Sequence, residues 1–284
     1  MIDVRDLHFT YAKSTEAVVR ELAFTVERGE IFGFLGPSGA GKSTTQKILI
    51  GLLEGYGGQV SVRHKEVAAW TADDYERTGV SFETPNHFLK LTGLENLRYF
   101  AGLYRGATRG PETLLDSVGL RDDGHRLVAQ YSKGMKARLS IARSLLNNPD
   151  LMFLDEPTGG LDPVSAQRVK DLIRAEREGG ATVFLTTHDM TAAEELCDRV
   201  AFIVDGRIAC IDSPRALKLQ HGERTVRIEY RCGDGTAHAD YPLDGLADNA
   251  AFQQVLRERD LQTLHTREAT LADVFIRVTG RPLA

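Results

Sequence analysis

Apolar and polar residues alternate along the first thirty positions of the chain. Ile2, Val4 and Leu7 carry one such pattern, and Ala23-Phe24-Thr25-Val26 carries another before a turn at Arg28-Gly29. A period of two predicts strands with one buried face. Ile31-Phe32-Gly33-Phe34-Leu35 is continuously apolar, the pattern of a strand covered on both sides. A glycine-rich segment follows, and the spacing from Thr44 to Leu53 is helical. Val80-Ser81-Phe82-Glu83 reads as a further strand ending on an acid. From Leu94 to about Asn148 the pattern is mainly helical, with a glycine and charge break near 119–124. Leu151 to Leu154 and Ala181 to Thr186 are apolar runs of buried-strand length, and Asp162 to Glu178 between them predicts a crossover helix. A hairpin of Val200 to Val204 and Arg207 to Ile211, turning at Asp205-Gly206, closes this part.

Beyond Pro214 the character changes. Val226 to Tyr230 predicts a strand, Cys232 to Gly235 a turn, and Asn249 to Arg259 and Thr270 to Val278 two helices. The expected division is an α/β domain over 1–214, with a helical part at about 90–148, and a small α+β extension over 215–284.

Composition narrows the function. Of 284 residues, 42% are hydrophobic and 26% charged, which argues against a disordered or fibrous chain. The net charge is -5, and no basic run supplies the footprint of a nucleic-acid binder. No apolar run approaches the eighteen or so residues of a membrane-spanning helix. The start, Met1-Ile2-Asp3-Val4-Arg5-Asp6, lacks the basic-then-apolar order of a secretory signal. Cys197, Cys210 and Cys232 form no CxxC pair, so reduced, structural thiols and a cytoplasmic setting are expected.

The candidate chemistry starts at Gly36-Pro37-Ser38-Gly39-Ala40-Gly41-Lys42-Ser43-Thr44, a complete GxxxxGK[ST] phosphate loop. Its glycines let backbone N–H groups converge on phosphate, Lys42 reaches the β- and γ-phosphates, and Ser43 is placed for Mg²⁺. A glycine-rich turn with a chance lysine is the bland alternative, and the strand before and helix after argue against it. Asp155 and Glu156 end an apolar strand, where acids are poor core residues unless neutralised. Asp155 is the candidate magnesium ligand and Glu156 the candidate group that polarises the attacking water. Pro157-Thr158-Gly159-Gly160 would also suit a plain surface turn, but beside a phosphate loop the magnesium reading is preferred. His188 follows another apolar strand. A lone histidine is usually structural, yet the carboxyl end of a strand in such a fold faces the ligand crevice, which favours a γ-phosphate contact.

On these residues the chain resembles the nucleotide-binding subunits of ABC transporters, especially those paired with ABC-2-type exporter permeases. The resemblance covers about residues 1 to 213 and, more loosely, the extension. It implies a P-loop NTPase core with an ABC-type antiparallel β subdomain and a helical signature subdomain. Tyr11 is similar to the aromatic that stacks on adenine, and Tyr131-Ser132-Lys133-Gly134-Met135 to the exporter form of the signature motif. Gly160-Leu161-Asp162-Pro163 resembles the loop that couples two sites across a dimer, and His188 the switch histidine. The resemblance also implies that Ser132 and Gly134 of one subunit complete the γ-phosphate site of the other. Where the family usually has a glutamine that contacts Mg²⁺ and links to the membrane partner, this chain has Glu83; a carboxylate can still ligate a hard cation.

The implied function is ATP hydrolysis with ATP and Mg²⁺, powering export of a drug-like or other cargo. The implied partners are a second copy, head to tail, and a separate integral membrane permease. The chain would sit on the cytoplasmic face of the membrane, with no nucleic acid and no periplasmic binding protein. A non-transport ATPase of the same superfamily, acting on ribosomes or DNA, is the competing reading. A small-molecule P-loop kinase would leave the signature segment unexplained.

Overall fold

The continuously apolar run at 31–35 becomes an interior strand of the principal sheet. The computed structural model describes residues 1–233 and 235–281. Its first part opens with strands β1 (Ile2–Phe9), β2 (Val19–Val26) and β3 (Ile31–Leu35), then helix α1 (Lys42–Leu49). Strands β4 (Gly57–Val62) and β5 (Lys65–Glu66), the short helix α2 (Ala72–Tyr75) and strand β6 (Thr78–Ser81) follow. Three helices come next, α3 (Gly93–Ala101), α4 (Pro111–Ser117) and α5 (Lys133–Ser144). The core is completed by β7 (Leu151–Asp155), α6 (Pro163–Glu178), β8 (Thr182–Thr187), α7 (Met190–Leu196), β9 (Arg199–Val204) and β10 (Arg207–Asp212).

The principal sheet has the order β10-β9-β3-β8-β7-β6, parallel except for β10. Every residue of β3, β7 and β8 is buried, as apolar runs of that length require. The alternating segments at the start form a separate antiparallel sheet, β2-β1-β4-β5. Its apolar face packs over the principal sheet through Phe24, Phe32, Phe34 and Phe184, whose ring centroids lie 5.5 to 6.2 Å apart. Each fully buried ring of this kind contributes about 1.5–3 kcal/mol. The expected α/β organisation, with an antiparallel sheet and a helical segment, is present.

Several boundaries differ from the sequence pattern. α1 stops at Leu49 rather than Leu53 because Gly51 takes φ +71°, with Gly51 N–H donating to Ile48 O and Leu52 N–H to Lys47 O. That pair of bonds is a Schellman stop. β6 ends at Ser81, so Phe82 and Glu83 lie beyond it in the following loop. The helical stretch breaks twice, since α3 ends before Gly102 and α4 begins afresh with Pro111 at its first position. The β9–β10 hairpin turns where expected, with Asp205 and Gly206 both at positive φ.

One arginine ties the two sheets. Arg63, in the turn between β4 and β5, donates from Nε to Asp150 Oδ1 at 3.0 Å, from Nη1 to Thr78 Oγ1 at 3.1 Å and from Nη2 to Arg77 O at 2.7 Å. Arg77 pairs with the other oxygen of Asp150 at 2.6 Å. The turn is thereby fixed to the starts of β6 and β7.

Contacts divide the chain into a first unit, Met1–Ser213, and a second that begins at Pro214. The second contains α8 (Pro214–His221), β11 (Thr225–Cys232), β12 (Gly235–Pro242), α9 (Ala250–Glu258), β13 (Leu261–Arg267) and α10 (Leu271–Thr279). The antiparallel sheet β12-β11-β13 and its helices bury Leu217, Val226, Ile228, Leu271, Val274 and Phe275. The periodicity misses α8, β12 and β13. Pro214 reads as a break but is tolerated as the opening residue of a helix. β12 and β13 are largely exposed and so lack an apolar alternation. The predicted turn at 232–235 includes Asp234, which lies outside the described residues, as do positions 282–284 of the extension. Among the described residues no helix is long and apolar enough to cross a membrane.

Gly36 and Gly39 give a paired test of the loop after β3. A Cβ on Gly36 would lie 2.1 Å from Ile203 O in β9, whereas one on Gly39 meets nothing within 4 Å. Gly36→Ala should therefore destabilise by about 3 kcal/mol, the upper end for overpacking. Gly39→Ala should cost only about 1 kcal/mol, from its φ of +81°. Urea denaturation of both variants is the check, and equal midpoints would contradict the packing argument.

Candidate active site

The site is built where β3, β7 and β8 end. Gly41 caps α1 at φ +106° without any side-chain hydrogen bond, so the first-turn N–H groups have neither a helical partner nor a side-chain cap. An uncapped helix N-terminus of this kind suits an anion. The cradle is close-fitting: besides the Gly36 contact, a Cβ on Gly41 would lie 2.9 Å from Val18 O. Pro37, Ser38 and Ala40 complete the loop, with Ala40 N–H donating to Pro37 O at 3.2 Å.

Lys42 curls back over this loop and donates to Gly36 O at 2.6 Å and Pro37 O at 3.0 Å. Burial pulls its pKa down, while Glu156, Asp155 and Glu83 push it back up. The lysine thus stands among three carboxylates, tethered by carbonyls that phosphate oxygens could replace. A cleft of about 430 Å³ joins Ser38, Gly39, Lys42, Glu83, Asp155 and Glu156.

Asp155 closes β7 and is buried. Its Oδ1 accepts from Ser43 Oγ at 3.3 Å and from Thr186 Oγ1. Among the described residues no cluster of three or more His, Cys, Asp or Glu is arranged to hold a metal. The Ser43–Asp155 pair instead fits Mg²⁺ held largely by phosphate and water. Glu156 adopts φ +50°, a left-handed backbone that is strained for a non-glycine residue. Three contacts fix it there. Its carboxylate accepts from Thr187 Oγ1 at 2.9 Å and His188 N–H at 3.0 Å, and faces His188 Nδ1 at 2.7 Å. His188 is 61% exposed at the side chain, Glu156 only 9%, so the histidine presents the pair to the cleft mouth. Sequence reasoning missed Thr186 and Thr187; two threonines ending an apolar strand beside two acids were the available signal.

Tyr11 reaches the same helix, its hydroxyl 3.1 Å from Thr44 Oγ1 and its ring edge-on to Phe9 at 4.9 Å. The second group of predicted residues lies elsewhere. Ser132 caps α5 by accepting from Met135 N–H at 3.1 Å, and the Ser132 and Lys133 side chains are exposed. Gly134 faces Leu161 and Gly160. Asp162 caps α6 by accepting from Ser165 N–H at 3.0 Å, and the Ser165 hydrogen bonds hold its carboxyl below the usual range. Of this group only Lys133 reaches the acids, lining a smaller cleft of about 170 Å³ with Glu83, Asp155 and Glu156. Ser132, Gly134, Met135 and Asp162 line neither cleft among the described residues.

Known proteins are similar to this chain. A family model described as ABC transporter matches residues 19–159, and one described as fluoroquinolone efflux ABC transporter C-terminal domain matches 224–268. The chain is 61% identical over 284 residues to a fluoroquinolones export ATP-binding protein of Mycobacterium tuberculosis, covering 100% of this chain and 94% of that one. It is 34% identical over 300 residues to the Nod factor export ATP-binding protein I of Burkholderia lata, covering 99% and 98%. A solved ATP-binding subunit of an ABC transporter superposes with TM-score 0.70 at 30% identity, over 78% of this chain and 92% of that one. A dimeric ATP-binding cassette in a post-hydrolysis state, bound to ADP and Pi, superposes with TM-score 0.68 at 27% identity, over 75% and 98%. The chain belongs to the ABC transporter family, as an ATP-binding subunit that hydrolyses ATP to drive an exporter.

The loop that carries Glu83 is held to α5 by His87. The His87 Nε2 lies 2.9 Å from Lys136 O, to which it donates, and 3.1 Å from Ser140 Oγ. Arg143 donates to the neighbouring Asn86 O at 2.6 Å. Burial lowers the His87 pKa to about 4; the Lys136 carbonyl opposes this, and the charges of Arg143 and Lys136 reinforce it. Between about pH 6.5 and 4 the unfolded chain therefore binds a proton here that the folded one refuses. Stability should fall as pH drops through that window, and His87→Gln should flatten the fall. Denaturant midpoints at pH 7 and pH 5 are the check; an unchanged slope in the variant would contradict it.

Proposed function

We propose that two copies of this chain close head to tail around two ATP molecules, and that hydrolysis powers export through a separate ABC-2-type permease. One observation carries the reading. The Lys42 cleft holds the phosphate cradle, the Ser43–Asp155 pair and the Glu156–His188 pair, but no residue of the Ser132 to Met135 turn. Ser132 instead is exposed at the start of α5, where it caps the helix. Two half-sites of this kind become one whole site only between two chains, and the dimeric cassette similar to this chain supports that form.

In this reading the first-turn N–H groups of α1 and Lys42 bind the phosphates, and Tyr11 packs on adenine. Ser43 and Asp155 would hold Mg²⁺, which would supply charge neutralisation at the phosphates. Glu156, oriented by Thr187, takes a proton from the attacking water as it adds, and His188 contacts the γ-phosphate. Ser132, Lys133, Gly134 and Met135 of the second copy close the opposite side, with Asp162 linking the two sites. Glu83 serves as a metal-site group and touches the permease through its loop. We place the chain at the cytoplasmic face of the membrane through that permease, with neither nucleic acid nor a periplasmic binding protein involved. The mycobacterial relative and the match over 224–268 favour a fluoroquinolone-like antibiotic as cargo.

Glu156→Gln should bind ATP with near-normal affinity, lose at least 100-fold in hydrolysis, and elute as a dimer with ATP and Mg²⁺ in size-exclusion chromatography. With the permease present it should also abolish fluoroquinolone efflux. A monomer that hydrolyses normally contradicts the role of Glu156, and an unmutated chain that, with the permease, gives no more fluoroquinolone efflux than cells lacking it removes the cargo. Composite sites have a separate test, mixing Lys42→Ala chains with Ser132→Arg chains. Each alone should be inactive, while the mixed dimer should regain part of the activity at its one intact site. No recovery in verified mixed dimers would show that each chain's site is self-contained.

A further inference from the structure

Gln46 is an amide buried in the core behind the candidate metal site. It lies on α1 three residues after Ser43, so the two side chains share a helix face, and α1 packs on β7 and β8. Gln46 is 1% exposed, and its Nε2 is buried without a hydrogen-bond partner. Its Oε1 lies 3.4 Å from Thr186 Oγ1. Thr186 stands opposite Asp155 in the parallel register of β7 and β8, and its hydroxyl donates to Asp155 Oδ1. The same oxygen accepts from Ser43.

A hydroxyl carries one proton. Having given it to the Asp155 carboxylate, Thr186 can only accept from Gln46, so the amide end that satisfies this contact is the NH₂. Exchanging the two amide ends leaves the side chain's shape unchanged, aims a donor at Thr186 and puts the carbonyl oxygen at the position without a partner, where an unpaired acceptor replaces an unpaired donor. A leucine would fill the same space with no polar group to satisfy, and a buried amide is costly unless hydrogen-bonded. The amide is therefore best accounted for by a hydrogen bond it makes.

We propose that Gln46 is a positioning residue for Asp155. Its N–H donates to Thr186 Oγ1, Thr186 donates to Asp155 Oδ1, and this two-bond relay fixes the orientation in which Asp155 and Ser43 meet the cation. The inference rests on the reading of Asp155 as a metal-site residue, and the experiment separates the two. Full-length Gln46→Leu, Thr186→Val, Thr186→Ser, the Gln46→Leu/Thr186→Val double variant and Asp155→Asn are compared. Mn²⁺ binding is measured by electron paramagnetic resonance with a non-hydrolysable ATP analogue, alongside metal-free nucleotide affinity and thermal denaturation. Gln46→Leu and Thr186→Val should each weaken Mn²⁺ binding about threefold to tenfold. The double variant should be little worse than Thr186→Val, and Thr186→Ser should stay near the parent. Metal-free nucleotide affinity and the melting temperature of Gln46→Leu should hold. If Gln46→Leu binds Mn²⁺ like the parent while Asp155→Asn does not, the relay is wrong. If Asp155→Asn is also unaffected, the metal-site reading falls and takes the relay with it. Weakened Mn²⁺ binding accompanied by a lowered melting temperature would assign Gln46 a packing role and likewise overturn the proposal.

Discussion

Three carboxylates converge on one buried lysine at the ends of β6, β7 and β3. Like charges so close raise the cost of each ionised form unless cations or hydrogen-bond donors offset them. Lys42 supplies one positive charge, and the hydroxyls of Ser43, Thr186 and Thr187 supply donors. The fold around them is a means of holding that crowd together. β7 and β8 are buried along their whole length, so their polar ends cannot relax outward. Glu156 keeps a left-handed backbone because three contacts fix its carboxylate.

The second group of site residues obeys a different logic. Ser132 and Asp162 each cap a helix, so both have a sufficient local reason to be where they are. Capping pins the turn, leaving the exposed first-turn surface of α5 pre-organised for a partner. Local stability and the proposed intermolecular use therefore coincide at the Ser132 hydroxyl.

The legibility of the site in the sequence follows from the range of the interactions. The phosphate loop, Asp155 and Glu156 could be placed together because their positions depend on chain-local geometry: strand, glycines, helix, or strand end. The buried strands of the core could be read because both faces are covered and the apolar run is continuous. Thr186, Gln46 and Arg63 were invisible, since each acts through side-chain contacts with residues distant along the chain. α1 was overextended because Leu52 and Leu53 keep the helical spacing past the glycine that stops it. β12 and β13 failed for the opposite reason: a mostly exposed strand carries no hydrophobic alternation to detect.

Arg63 gives the antiparallel sheet a mechanical role. By binding Asp150, Thr78 and the Arg77 carbonyl, it welds the β4–β5 corner to the roots of two strands of the principal sheet. One of those strands, β6, leads at its far end into the loop bearing Glu83 and His87; the other, β7, ends on Asp155. The sheet that carries β1, just before Tyr11, therefore cannot tilt as a free flap. The guanidinium and the rings of Phe24, Phe32, Phe34 and Phe184 clamp the two sheets at separate places, so the strands that end near the acids share their anchorage with the strand that leads to Tyr11.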